Sequence, residues 1–143
     1  MSNPKSAEDY RTRYTDISGN GTLAAGGGDQ TLVTGKTGWT IYIQRIIAYI
    51  TTDAAQSASF EDDNGTPKQI ANIPASPGDD TRWDFDFGAA GVPLTAAKDF
   101  ELNVSAAGLA MHFEWEGYSK QSGSEFVPAL GDATVRTTGQ NFQ

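Results

Sequence analysis

Cysteine is absent from the 143-residue chain, which excludes a disulfide framework, thiolate-bound zinc and thiol catalysis. Histidine occurs 1 time, too rarely for a histidine-rich metal site or a serine–histidine relay. No apolar run approaches the roughly 18 residues of a membrane-spanning helix. Met1-Ser2-Asn3-Pro4 does not read as a secretory signal, so neither membrane insertion nor export is expected. Basic residues are few: 10 Lys and Arg stand against 18 Asp and Glu, a net charge of −8. Phosphate binding needs clustered Lys and Arg, and here the bases never gather beside aromatics, so nucleic acid is not an expected partner.

What is present points to a packed domain. The apolar share of 38% and aromatic share of 10% are those of a chain with a core, and the length suits one domain. The negative charge is not spread evenly. Residues 16–118 carry five bases against fourteen acids, whereas residues 1–15 are net +1 and residues 119–143 are neutral.

The middle segment follows a period of two. Trp39 to Thr51 is dense in β-branched and aromatic residues. Trp39, Ile41 and Ile43 share one face, and Ile46, Ala48 and Ile50 continue on the other. A bulge near Gln44-Arg45 would keep the apolar side inward throughout. Trp83, Phe85 and Phe87 alternate with Arg82, Asp84 and Asp86. Phe100, Leu102 and Val104 alternate with Glu101 and Asn103. Leu109, Met111, Phe113 and Trp115 alternate with Ala110, His112, Glu114 and Glu116. Shorter strands are expected at 30–33, 57–62 and 69–73. The connections agree: Asn64-Gly65 signals a tight turn, and 74–78, 88–93 and 106–108 are breaks rich in Gly, Pro or small residues. Gly26-Gly27-Gly28 reads as a joint. A single helical turn is a weak candidate at Ser6 to Arg13. Short strands between turn residues, each with one apolar face, predict an antiparallel sandwich or barrel. Residues 41–50 are apolar on both faces, as suits a central strand covered on both sides, by a second subunit or by loops of this chain.

Chemistry-bearing groupings are sparse. Glu61-Asp62-Asp63-Asn64-Gly65 lacks the alternating ligands, twelfth-position Glu and flanking helices of an EF-hand loop, and reads as a solvated hairpin turn. Asp79-Asp80 could lend ligands to an ion at that same end. Asp84 with Asp86, and Glu114 with Glu116, have the separation of a glycosidase pair, but any i, i+2 pair on a strand does, so they read as an outward polar face. His112 shares that face with Glu114. Neither a catalytic role nor a bound metal or cofactor is expected.

The order of these elements carries a resemblance. Leu32-Val33 leads through Gly35 and Gly38 to the long strand at 41–50, then Ser57-Ala58-Ser59-Phe60, Ile70 to Ile73 and Trp83-Asp84-Phe85-Asp86-Phe87. Gly91-Val92-Pro93-Leu94 precedes Phe100 to Val104, and Ala106-Ala107-Gly108 turns into Leu109 to Tyr118. Over residues 30–118 the series resembles the small jelly-roll virion proteins of tailed bacteriophages, in particular head decoration (cement) proteins. The resemblance implies an all-β antiparallel β-sandwich of jelly-roll form with extended N- and C-terminal arms. Residues 1–29 would be the N-terminal arm and joint, 30–118 the sandwich and 119–143 the C-terminal arm. It further implies a homotrimer, made in the host cytoplasm, that binds the major capsid protein on the outer surface of the head and stabilises it. Tyr10, Arg11, Arg13 and Tyr14 are then the expected capsid contacts, with Phe126, Val127 and Leu130 docking the second arm. The alternative is a receptor- or glycan-binding module of a head fibre or tail fibre, with Trp39 and Trp83 as exposed stacking surfaces.

Overall fold

Alternating apolar residues can leave water together as the inner faces of two sheets laid against each other. The chain adopts that solution. The structure, a computed structural model, describes residues 14–122. Two compact units divide the chain, Asp16–Ser119 and a second made of Met1–Thr15 with Lys120–Gln143. The described residues form β1 (Tyr14–Leu23), β2 (Gln30–Val33), β3 (Trp39–Thr52), β4 (Ala58–Asp62), β5 (Gln69–Ile73), β6 (Arg82–Asp86), β7 (Val92–Pro93), β8 (Phe100–Val104) and β9 (Ala110–Gln121). They contain no helix; the candidate turn at Ser6 to Arg13 lies outside them.

One sheet has the order β1-β9-β3-β6, with β7 paired to β3, and the other the order β2-β8-β4-β5. Strands β1 to β4 alternate between the sheets, β5 pairs with β4 in the smaller one, β6 returns to the larger, and β8 and β9 return between earlier neighbours. These two orders are those of a jelly roll, in which two interleaved Greek keys close the chain into a sandwich. Leu23, Ile43, Ile46, Ile50, Phe60, Ile73, Phe100, Leu102, Leu109 and Met111 are fully buried between the layers. At one end an aromatic cluster joins the sheets. Phe113 of β9 meets Phe60 of β4 edge-on at 5.7 Å, and Trp115 meets Phe100 of β8 edge-on at 5.9 Å. Edge-to-face rings place a positive rim on a negative face and add to area burial.

The long strand β3 keeps its expected phase change. Ile41 and Ile43 are buried, then Ile46, Ala48 and Ile50, while Gln44 and Arg45 are both half-exposed. Two buried sets one residue out of step require one extra residue between them, as a bulge supplies. Cover on the outer side of this strand is incomplete: Tyr49 is 42% exposed and Ile47 half-buried.

The first strand departs from the sequence reading. Residues 14–23 were expected within an arm and form β1, hydrogen-bonded to β9 at the edge of the larger sheet. Its inward positions are Ile17, Gly19, Gly21 and Leu23, so two of four inward residues have no side chain and the apolar alternation is invisible. Those glycines are required by their neighbour. A Cβ at Gly19 would strike the Trp115 ring, and one at Gly21 the Phe113 ring. Rings of β9 thus lie over bare backbone of β1, the arrangement by which aromatics cover glycine on a sheet edge.

Candidate functional site

Of the expected contact residues, Tyr14 is described, and Tyr10, Arg11, Arg13, Phe126, Val127 and Leu130 lie outside the described residues. Tyr14 begins β1 and is 40% exposed. The Lys120 ammonium near the end of β9 lies 5.9 Å from the centre of its ring, within cation–π range. The first and last turns of the described chain therefore stand side by side.

Of the acid–base candidates, Asp84 and His112 are occupied in cross-strand pairing on the outer face of the larger sheet. Arg45 donates to both oxygens of Asp84, at 3.1 and 2.7 Å, and Arg82 approaches the same carboxylate at 3.6 Å. The hydrogen bond from Arg45 lowers the Asp84 carboxyl below its ordinary value, and the same contact raises the Arg45 guanidinium. His112 on β9 is hydrogen-bonded through Nδ1 to the Thr22 hydroxyl on β1 at 3.1 Å.

The acidic run at 61–65 is a solvated turn only in its second half, which corrects the sequence reading: Asp63 and Gly65 are exposed beyond the strand, whereas Glu61 and Asp62 are buried. Glu61 and Asp62 complete β4, with exposures of 3% and 0%. Asp62 points into the sandwich, where Oδ1 accepts the backbone N–H groups of Lys68 (2.9 Å) and Asn64 (3.2 Å), and Oδ2 that of Thr95 (2.8 Å). Burial by itself would raise this carboxyl. The hydrogen bonds from Thr95, Lys68 and Asn64 outweigh it and hold the group below its ordinary value. Asp63 accepts from Asp99 N–H at 2.8 Å, and Asp99 in turn accepts from Gly35 N–H at 2.6 Å. These carboxylates are backbone acceptors that tie three loops together, β2–β3, β4–β5 and β7–β8. Asp79 performs the same service elsewhere, accepting from Asp53 N–H at 2.5 Å. Asp53 precedes β4 whereas Asp63 follows it, so the two acidic runs flank opposite ends of that strand and cannot share an ion. Among the described residues no group of three or more His, Asp or Glu is placed to hold a metal.

The outer face of the smaller sheet was not anticipated. Alternation sends Phe60 inward, so Ser59 and Glu61 face outward, yet Ser59 is only 7% exposed. The Ser59 hydroxyl donates to the Glu61 carboxylate, which also receives Gln69 Nε2 at 3.4 Å. Directly opposite Glu61, on β8, stands Glu101. Burial, then the charges of Glu61, Asp63, Asp29 and Asp99, raise the Glu101 carboxyl. Among the described residues no cation is paired with this group. Two like charges in register on neighbouring strands oppose sheet pairing.

Neither tryptophan proposed for ligand stacking is bare. Trp39 and Trp83 are half-buried. Lys36 Nζ lies 5.4 Å over the Trp39 ring, and Trp83 stacks on Phe85 at 6.4 Å while donating Nε1–H to Thr81 at 3.3 Å.

No protein-family model and no curated protein matches the chain. Among solved structures it is similar to a chain of the virus-like particle of the giant freshwater prawn Macrobrachium rosenbergii extra small virus, with 13% identity over 74% of this chain and 79% of that one, at a TM-score of 0.38. It is similar also to a chain of the Bacillus endospore appendages, a family of disulfide-linked pili (12% identity, 76% and 87% covered, TM-score 0.37). A third similarity is to the Yersinia pseudotuberculosis-derived mitogen (10% identity, 71% and 84% covered, TM-score 0.32).

Proposed function

We propose that the chain is a virion structural protein, a decoration or cement protein that sits as a homotrimer on the outer surface of a phage head and binds the major capsid protein. The observation that supports this reading is the meeting of the two ends, with the Tyr14 ring 5.9 Å from the Lys120 ammonium. Tyr10, Arg11 and Arg13 precede Tyr14 in sequence, and Phe126, Val127 and Leu130 follow Lys120. Two weak grips tethered together act as one, because engagement of the first makes the second intramolecular. Contacts that form only with the assembled shell stabilise it by mass action. A closed threefold ring matches the local threefold positions of a capsid lattice.

The test is reconstitution. Purified protein mixed with undecorated heads of the encoding phage should co-sediment with them and give density on their outer surface by cryo-electron microscopy. Density confined to the tail tip, or none, overturns the reading. Light scattering of the free protein should give three times the chain mass, and a monomer would remove the trimer. The fibre-module alternative is not favoured by the tryptophans, since both rings are already engaged.

A further inference from the structure

On the outer face of the smaller sheet, β8, β4 and β5 run side by side. A groove of about 330 Å³ opens there, lined by Ser57, Ser59, Gln69, Asn72, Asn103 and Ser105. Its size is at the small end of ligand sites, which span roughly 300–1,000 Å³. Register builds it. Ser59 pairs with Asn103 on one side and with Asn72 on the other, so amide, hydroxyl and amide stand in a row across three strands, spaced by about 4.8 Å. Small side chains at these positions leave a trough where long ones would fill it.

We propose that this groove is a binding site for an uncharged saccharide. The donor and acceptor set is neutral and mixed, as hydroxyl groups require: each sugar hydroxyl both donates and accepts. The row is held ready. Asn103 Nδ2 donates to Asp29 at 3.2 Å, which fixes the amide and leaves its carbonyl oxygen available. Ser59 commits its proton to Glu61, so its lone pairs accept. Ser57 N–H donates to the Ser105 hydroxyl at 2.9 Å, which orients the next hydroxyl along the trough. Asn72 makes no side-chain hydrogen bond among the described residues, and offers two donors and an acceptor to a ligand. A nearly buried hydroxyl and carboxylate on the outer side of a sheet cost desolvation that core packing does not need, and such cost is the mark of a site. The charge of the ligand follows from the surroundings. Glu61, Glu101 and Asp29 border the row, and among the described residues neither Lys nor Arg lines it, so phosphate, sulfate and carboxylate ligands are disfavoured. Among the described residues no aromatic ring lines the trough either, so binding there depends on hydrogen bonds and is weak for a single site.

This inference does not rest on the head-decoration reading, and its test is made on the isolated protein. Isotope-labelled full-length chain is titrated with methyl α-glucoside, methyl β-galactoside, methyl α-mannoside, N-acetylglucosamine and maltose, and the side-chain amide signals of Asn72 and Asn103 are followed by NMR. At least one neutral sugar should move both signals saturably. In Asn72→Ala, which removes an exposed and unbonded side chain, the same sugar should bind about 3- to 10-fold more weakly, the effect of one neutral hydrogen bond. N-acetylneuraminic acid, glucose 6-phosphate and putrescine serve as charged probes. No saturable shift with any neutral sugar overturns the proposal, as does a shift that Asn72→Ala leaves unchanged or binding by charged probes only.

Discussion

Replacing Asp62 by Ala removes the acceptor of the Asn64, Lys68 and Thr95 N–H groups at once. Hydrogen bonds to a charged group are worth about 1.5–3 kcal/mol each, and a buried donor left unpaired adds its own cost. Asp62→Ala should therefore destabilise the fold by more than about 3 kcal/mol at pH 7, read from urea denaturation. The sign of its pH dependence follows from a folded pKa below the unfolded 3.8. The stabilisation is present above about pH 4 and is lost as pH falls through the folded value, so variant and parent should converge under acid. Glu101 behaves oppositely. Its folded pKa lies above the ordinary 4.5, so its ionised form is disfavoured in the fold and stability is lost as pH rises through the folded value. Glu101→Gln should be more stable than the parent at pH 7 by roughly 0.2–1 kcal/mol, the size of a cross-strand like-charge pair, and the gain should vanish below about pH 4.5. A gain that persists under acid would show that the charge of Glu101 is not its cause.

At the scale of elements, close approach of strands explains where glycine is indispensable. Gly117 of β9 is buried, and a Cβ there would collide with the Tyr42 carbonyl oxygen and crowd the Ile43 Cα on β3. Backbone cannot swing aside as a side chain can, so Gly117→Ala should cost at least about 1–3 kcal/mol, measured as a fall in Tm. Gly28→Ala, where a Cβ meets nothing within 4 Å, should stay within about 0.5 kcal/mol of the parent. The elements also show what was legible. β6, β8 and β9 were readable because their inward residues, such as Trp83, Leu102 and Phe113, are large and apolar, and period two then stands out. The phase change in β3 was readable for the same reason. β1 was not, because Gly19 and Gly21 place absence where apolar bulk would signal an inner face, and the rings that cover them belong to a strand distant in sequence.

For the whole molecule, the two ends carry the proposed grip on a shell. Deletion of residues 123–143 should leave the β-sheet circular dichroism of the protein intact and abolish co-sedimentation with undecorated heads. Retained binding by the shortened chain would move the contact to another surface. The acidic run at 61–63 shows why a site can be read wrongly from one segment. Consecutive acids beside Asn-Gly look like a solvated turn when only that segment is considered. In the fold, β5 and β8 flank β4, and the 95–99 loop brings N–H donors to Asp62 and Asp63.

Alternation along each segment determined by itself that this chain forms strands, which residues face the core, and that the strands build an antiparallel sandwich or barrel, because the side-chain period of two belongs to a single extended backbone. The order of strands, the glycine-backed edge β1, the burial of Glu61 and Asp62 and the polar groove over Ser59 were decided only by the tertiary structure. Each depends on residues that meet across strands, as Asn103, Ser59 and Asn72 do, and register between distant segments is set by how the two inner faces pack together.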